Sequence, residues 1–196
     1  MNPRRADWSR RRFCTAAAAA ACAIHAPRTS AQGVGADHGR VNPPVPVPGV
    51  PVRCADGTSR SLADLLRGRS TALHLMYTSC TTVCPIQAAI FERVQLLLPD
   101  QTDRNIQLLS LSVDPTTDTP EALQAWLRKV RARAGWIAVA PAMKDLDELL
   151  KLFGQGRDAI ENHATQVNII NRQGELIWRT LGLPSADSIA DILRKV

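Results

Sequence analysis

Ile106–Val113 (IQLLSLSV) is an almost unbroken run of apolar and small residues closed by Asp114-Pro115. It has the length of a strand, and its lack of polar alternation is what a strand covered on both faces requires. A chain built around such a strand must bring helices to both sides of a sheet, and the flanking sequence supplies them. Ser70–Thr78 (STALHLMYT) reads as a second strand. Val83–Leu98 is helical, with Ile86, Ile90, Val94 and Leu97 recurring on one face, and Pro99-Asp100 closes it. Thr119 caps a further helix with Pro120 at its first position. Leu123, Leu127 and Val130 form its stripe with Trp126 beside them, and Gly135 is its expected stop.

Trp136–Ala140 follows as a short strand. Leu146, Leu149, Leu150 and Phe153 mark another helix, stopped by Gly154. Gln166–Asn171 and Glu175–Leu181 flank Arg172-Gln173-Gly174 as a hairpin. A last helix runs from Ala186 to Arg194, capped by Ser185. Strand and helix thus alternate and end in a hairpin plus helix. The order predicts an α/β, thioredoxin-like fold with a central mixed sheet flanked by helices.

Charge divides the chain. Residues 1–31 hold six arginines against Asp7, which is +5 of the +6 carried by the 196 residues. The remainder is nearly neutral, so no nucleic-acid partner is expected. Arg10-Arg11-Arg12 precede a short Ala-rich run from Cys14 to Ile24 and the small residues Ser30-Ala31. Residues 1–31 therefore read as a twin-arginine-type export signal. The run is too short to span a bilayer, which takes about 20 residues. The mature chain is expected without a membrane span, in the periplasm or otherwise exported. A lipid anchor at Cys22 is a minor alternative. Residues 32–48, with Pro43, Pro44, Pro46 and Pro48, read as a Pro-rich linker, and residues 49–196 as the folded domain.

The mature chain keeps Cys54, Cys80 and Cys84. Cys54 precedes an Asp56-Gly57 turn and is expected to pack as a buried small hydrophobe. Cys80-Thr-Thr-Val-Cys84-Pro85 lies where a strand gives way to a helix, and the unpaired N–H groups of a helix start favour thiolates. At i and i+4 the Cα atoms are about 6 Å apart. That spacing permits a disulfide or convergence of both sulfurs on one soft metal ion. A static disulfide closing so small a loop would add little stability.

Of the histidines, His74 sits inside an apolar strand and reads as core. His163 lies in a polar loop before the QVNIIN strand. In a thioredoxin-like topology that loop adjoins the cysteine turn, where thioredoxin-type oxidoreductases place a cis-proline. No proline occurs between Ala159 and Asn171. A histidine there would complete a Cys2His set; a solvated loop histidine is the alternative.

Three stretches together resemble the Sco/SenC family of copper-binding proteins over about Val47–Val196. They are Tyr77-Thr-Ser-Cys80-Thr-Thr-Val-Cys84-Pro85, Leu111-Ser-Val-Asp114-Pro115 continuing to Asp118-Thr119-Pro120, and His163 before a strand and hairpin. The resemblance implies one copper, as Cu(I) or Cu(II), held by Cys80, Cys84 and His163. It also implies a copper-accepting oxidase subunit as partner, at the binuclear copper centre of cytochrome c oxidase, or another copper protein. Thr81 and Asn162 stand where many members have proline and aspartate. Asn162 therefore leaves the imidazole without the carboxylate neighbour that could orient it. The alternative is a thiol-disulfide oxidoreductase with Cys80 attacking and Cys84 resolving against a thiol-disulfide partner. Zinc on Cys2His plus water is a further metal option.

Overall fold

The computed structural model describes residues 38–99, 104–153 and 165–196. Residues 1–31, expected to be an export signal and including Cys14 and Cys22, lie outside the described residues, as do Gly154 and His163.

Eight strands form one mixed sheet. In chain order the elements are β1 (His38–Pro46), β2 (Pro51–Cys54), β3 (Ser59–Ser61), α1 (Leu62–Leu66), β4 (Ser70–Met76), α2 (Val83–Leu97), β5 (Ile106–Ser112), α3 (Pro120–Lys129), β6 (Trp136–Pro141), α4 (Met143–Leu152), β7 (Val167–Ile170), β8 (Glu175–Thr180) and α5 (Ala186–Leu193). Across the sheet the strands lie β1-β8-β7-β4-β5-β6-β2-β3. β4, β5 and β6 are parallel; β7 pairs antiparallel with β4, and β8 with β7.

Every residue of β4 and of β5 is buried, as the unbroken apolar run requires. One apolar cluster joins α2, α3 and α5 to the sheet through Phe91, Val94, Leu123, Trp126 and Ile189. The other joins α1 and α4 through Leu62, Leu66, Leu149 and Phe153. Successive β4 residues divide between them, Ala72 and Met76 facing the first, Leu73 and Leu75 the second, which is the period-2 rule of a pleated strand. The alternation from Ser70 onward and the closing hairpin and helix are those expected. Thr119 accepts a hydrogen bond from the Ala122 amide at 3.3 Å and Ser185 one from the Ser188 amide at 3.2 Å, so both caps hold. Among the described residues no helix is long and apolar enough to cross a membrane.

Three expectations need correction. The Pro-rich segment is not wholly a linker: His38–Pro46 pairs antiparallel with β8 as the outermost strand. Its prolines fit there because an edge strand leaves one row of amides unused. α3 stops at Lys129 rather than Gly135; Arg131 takes a left-handed φ of 56° and the Ala132 amide bonds back to the Leu127 carbonyl. Gly135, at φ 83°, instead opens β6, its carbonyl accepting from the Leu108 amide. α2 is rotated from the expected face. Cys84, Gln87, Ala88, Phe91, Val94 and Gln95 point inward, while Ile86 is 52% exposed.

Candidate metal centre

Parallel pairing of β4 with β5 brings the loops leaving their C-terminal ends together, and the Val113 amide donates to the Met76 carbonyl at 2.9 Å. The first loop carries the cysteines. The Cys80 amide closes a turn onto the Tyr77 carbonyl at 3.1 Å, and α2 starts three residues later. Pro85 occupies the first turn of that helix, where no amide is needed.

Cys80 and Cys84 are both thiols, each 5% exposed. The Cys84 amide points at Cys80 Sγ at 3.5 Å, and the Thr82 hydroxyl lies 3.8 Å from the same sulfur. Burial opposes ionisation of Cys80. Hydrogen bonds from the Cys84 thiol and from the Cys84 and Thr82 amides overcome it and bring the group down to about 6. Cys84 is pushed up to about 12, first by burial and then by its bond to Cys80, with the Asp118 charge adding to both. The surroundings thus favour the thiolate on Cys80 and the protonated thiol on Cys84.

The second loop braces the first through Asp118, which is fully buried. Its carboxylate accepts from the Thr78 amide at 3.0 Å, the Thr78 hydroxyl at 2.6 Å and the Ser112 hydroxyl at 2.6 Å. Asp114 makes a turn, accepting from the Thr116 hydroxyl at 2.7 Å, while its carbonyl accepts from the Asp118 amide at 2.9 Å. Sequence reasoning missed Asp118 as a bracing group. The available signal was a carboxylate directly before a well-formed cap, one position too early to serve the helix.

Beneath the cysteines lies His74, buried as expected. Its Nε2 is 2.6 Å from the Ser110 hydroxyl and its Nδ1 3.4 Å from Gln87 Oε1. Trp136 Nε1 also donates to Ser110, at 2.9 Å. Gln87 Oε1 can only accept, so the ring proton sits on Nδ1 and Ser110 donates to Nε2. Burial pushes His74 down to about 4, keeping it neutral. It packs on Phe91, centroids 4.4 Å apart. Cys54 is buried at the end of β2, and burial pushes its thiol up.

Among the described residues no cluster of three His, Cys, Asp or Glu side chains could hold a metal ion. Cys80 and Cys84 are together; His163 is outside the described residues. The chain enters β7 through Thr165 and Gln166, and Val167 pairs with His74 near the end of β4. β7, which follows His163 in the sequence, thus begins at the cysteine end of the sheet. Two sulfurs, one of them readily ionised, make a donor set suited to a soft ion such as Cu(I).

The sequence model described as SCO1/SenC matches residues 54–196. A protein of Stutzerimonas stutzeri, named as copper-binding, is 33% identical over 91 residues; the match covers 46% of this chain and spans 44% of that relative. Among solved structures, a SCO1/SenC family lipoprotein from Bacillus anthracis aligns with a TM-score of 0.63 at 22% identity, over 79% of this chain and 98% of that one. Yeast Sco1 with copper bound gives 0.63 at 15% identity, over 79% and 93%. Bradyrhizobium japonicum ScoI with copper bound gives 0.62 at 15%, over 77% and 98%. These likenesses show the fold, which is the expected thioredoxin-like one.

Proposed function

The chain belongs to the SCO1/SenC family of copper-binding proteins, and from that premise we propose that it is an exported copper metallochaperone holding one copper through Cys80, Cys84 and His163. The observation that carries this reading is the pairing of two thiols at the head of α2, Cys84 in its first turn and Cys80 three residues before the helix starts, with the Cys84 amide at 3.5 Å from Cys80 Sγ. Thiolates favour Cu(I), and an added imidazole accommodates Cu(II) as well. Ligands at the head of a helix can be exchanged one by one for those of a recipient. The recipient proposed is the binuclear copper centre of cytochrome c oxidase, and the place of action the periplasm, reached through residues 1–31.

A second reading is favoured by the unequal thiols, about 6 for Cys80 against about 12 for Cys84. That is the polarity of an attacking thiolate and a resolving thiol, so the same pair could serve as a thiol-disulfide oxidoreductase.

Anaerobic titration of the reduced protein with Cu(I) and with Cu(II), beside His163→Ala, separates the two. The metallochaperone reading expects one copper per chain and a sulfur-to-copper charge-transfer band that the variant loses in the Cu(II) form. Absence of tight copper binding in the wild type, with rapid disulfide exchange at Cys80, would leave the oxidoreductase.

A further inference from the structure

The two thiols face different surroundings. Cys80, and not Cys84, lines a groove of about 220 Å³ between α2 and α3. Pro85, Ala89 and Glu92 follow one another along its α2 wall, a path of about 10 Å at 1.5 Å per residue. Small side chains keep the wall low, and the Trp126 indole borders the groove from α3. The end away from the sulfur is charged. Glu92 there meets Arg131, Oε1 to Nη1 3.7 Å, and Lys129 lines the same stretch. Two cations thus stand against one carboxylate, Arg131 following the end of α3 with a left-handed φ of 56°.

We propose that this groove selects small peptide thiols and disulfides whose carboxylate lies within the reach of a short peptide from the sulfur, on the scale of that helical path of about 10 Å. The partner's sulfur meets Cys80 while its carboxylate is received by Lys129 and Arg131. A tripeptide is of the right length; a protein loop would have to be narrow and acidic to enter. With a disulfide R–S–S–R, the Cys80 thiolate attacks one sulfur, forming Cys80–S–S–R and releasing R–S⁻. Cys84 then loses its proton to solvent and displaces the second R–S⁻, closing the Cys80–Cys84 disulfide. The protein loses two electrons and the partner's disulfide gains them. Read backwards, two equivalents of the acidic thiol reduce the pair. The proposal rests on the second reading above, in which Cys80 is the attacking sulfur.

The test compares two probes on the reduced full chain: oxidised glutathione, which carries carboxylates, and hydroxyethyl disulfide, which is neutral. Rates are followed by loss of free thiols and by mass of the mixed disulfide. Variants are Lys129→Glu combined with Arg131→Gln, and Ala89→Trp, with melting curves to establish that each folds. The charge variant is expected to slow oxidised glutathione by about fivefold and to flatten its salt dependence, leaving hydroxyethyl disulfide unchanged. Ala89→Trp is expected to slow glutathione far more than the small probe. Equal effects on both probes, or none on either, would overturn the groove as a selector. A wild type inert to both probes would overturn it by a different route, through failure of the reactive Cys80 on which it rests.

Discussion

Asp118 grips Thr78 at two atoms, accepting its main-chain amide at 3.0 Å and its hydroxyl at 2.6 Å. Thr78 is the residue through which β4 turns toward Cys80, so the carboxylate fixes the exit of the strand and thereby the direction of the thiol. Replacing Asp118 with alanine would leave three donors without this acceptor, the buried Ser112 hydroxyl and the half-buried Thr78 amide and hydroxyl. A loss of about 3 kcal/mol in urea denaturation is expected, since each unsatisfied buried group costs about 1–3 kcal/mol. Asp118→Asn should recover part of it. Both variants should also weaken Cu(I) binding, and that effect distinguishes a brace of the site from a general stabiliser.

The thiols give the reduced protein a pH dependence of definite sign. Cys80 is lowered from the ordinary 9.0 to about 6. Between those values the unfolded chain still holds a proton that the folded one has released, so stability rises with pH from about 6 to 9. Cys84 is raised to about 12. Above 9 the unfolded chain loses a proton that the fold retains, so stability falls again. Chemical denaturation across this range should show a maximum near 9 that the oxidised protein lacks. Thiolate absorbance should show one ionisation near 6, absent from Cys80→Ser.

His74 acts on the acid side. Its folded value of about 4 lies below the ordinary 6.5 because burial disfavours the imidazolium. As pH falls from 6.5 to about 4 the unfolded chain takes up a proton that the fold refuses, and stability is lost; below about 4 this group adds no further loss. In His74→Gln the slope of stability against pH across that window should be shallower by up to one proton.

The strand His38–Pro46 decides where the domain can be cut. A chain starting at Gly33 retains β1, whereas one starting at Gly49 leaves the β8 edge bare and removes Arg40 from over the Trp178 ring, 5.9 Å to the centroid. The shorter chain should melt several degrees lower, about 1–2 kcal/mol being worth that much in a domain of this size. It should also self-associate in sedimentation, as bare edges do. Equal melting of the two would show that β1 adds nothing to the fold.

How far the sequence could be read follows from these same residues. β4 to α5 was legible because apolar periodicity survives wherever helices cover a sheet, and the cysteines because their spacing carries its own chemistry. β1 was hidden by its prolines, which signal a linker unless the partner strand, more than a hundred residues on, is known. The face of α2 was misjudged because two glutamines point inward. Gln87 meets His74 at 3.4 Å, and Gln95 Nε2 donates to the Arg133 and Ala134 carbonyls, each at 3.2 Å. Counting apolar residues assigns such positions to solvent. The role of Asp118 depends on a donor 40 residues away in the chain and leaves no local pattern.

The neighbour relation of β1 and β8 has a consequence in time. Among the described strands, the first to leave the ribosome has its place beside the last, so this edge of the sheet cannot close until Thr180 has been made. Until Glu175–Thr180 emerges, residues 38–46 wait unpaired, and their prolines limit what else they can pair with in the interval. A chain terminated early keeps that strand loose. Closure of this edge therefore reports that the chain has been made at least as far as Thr180.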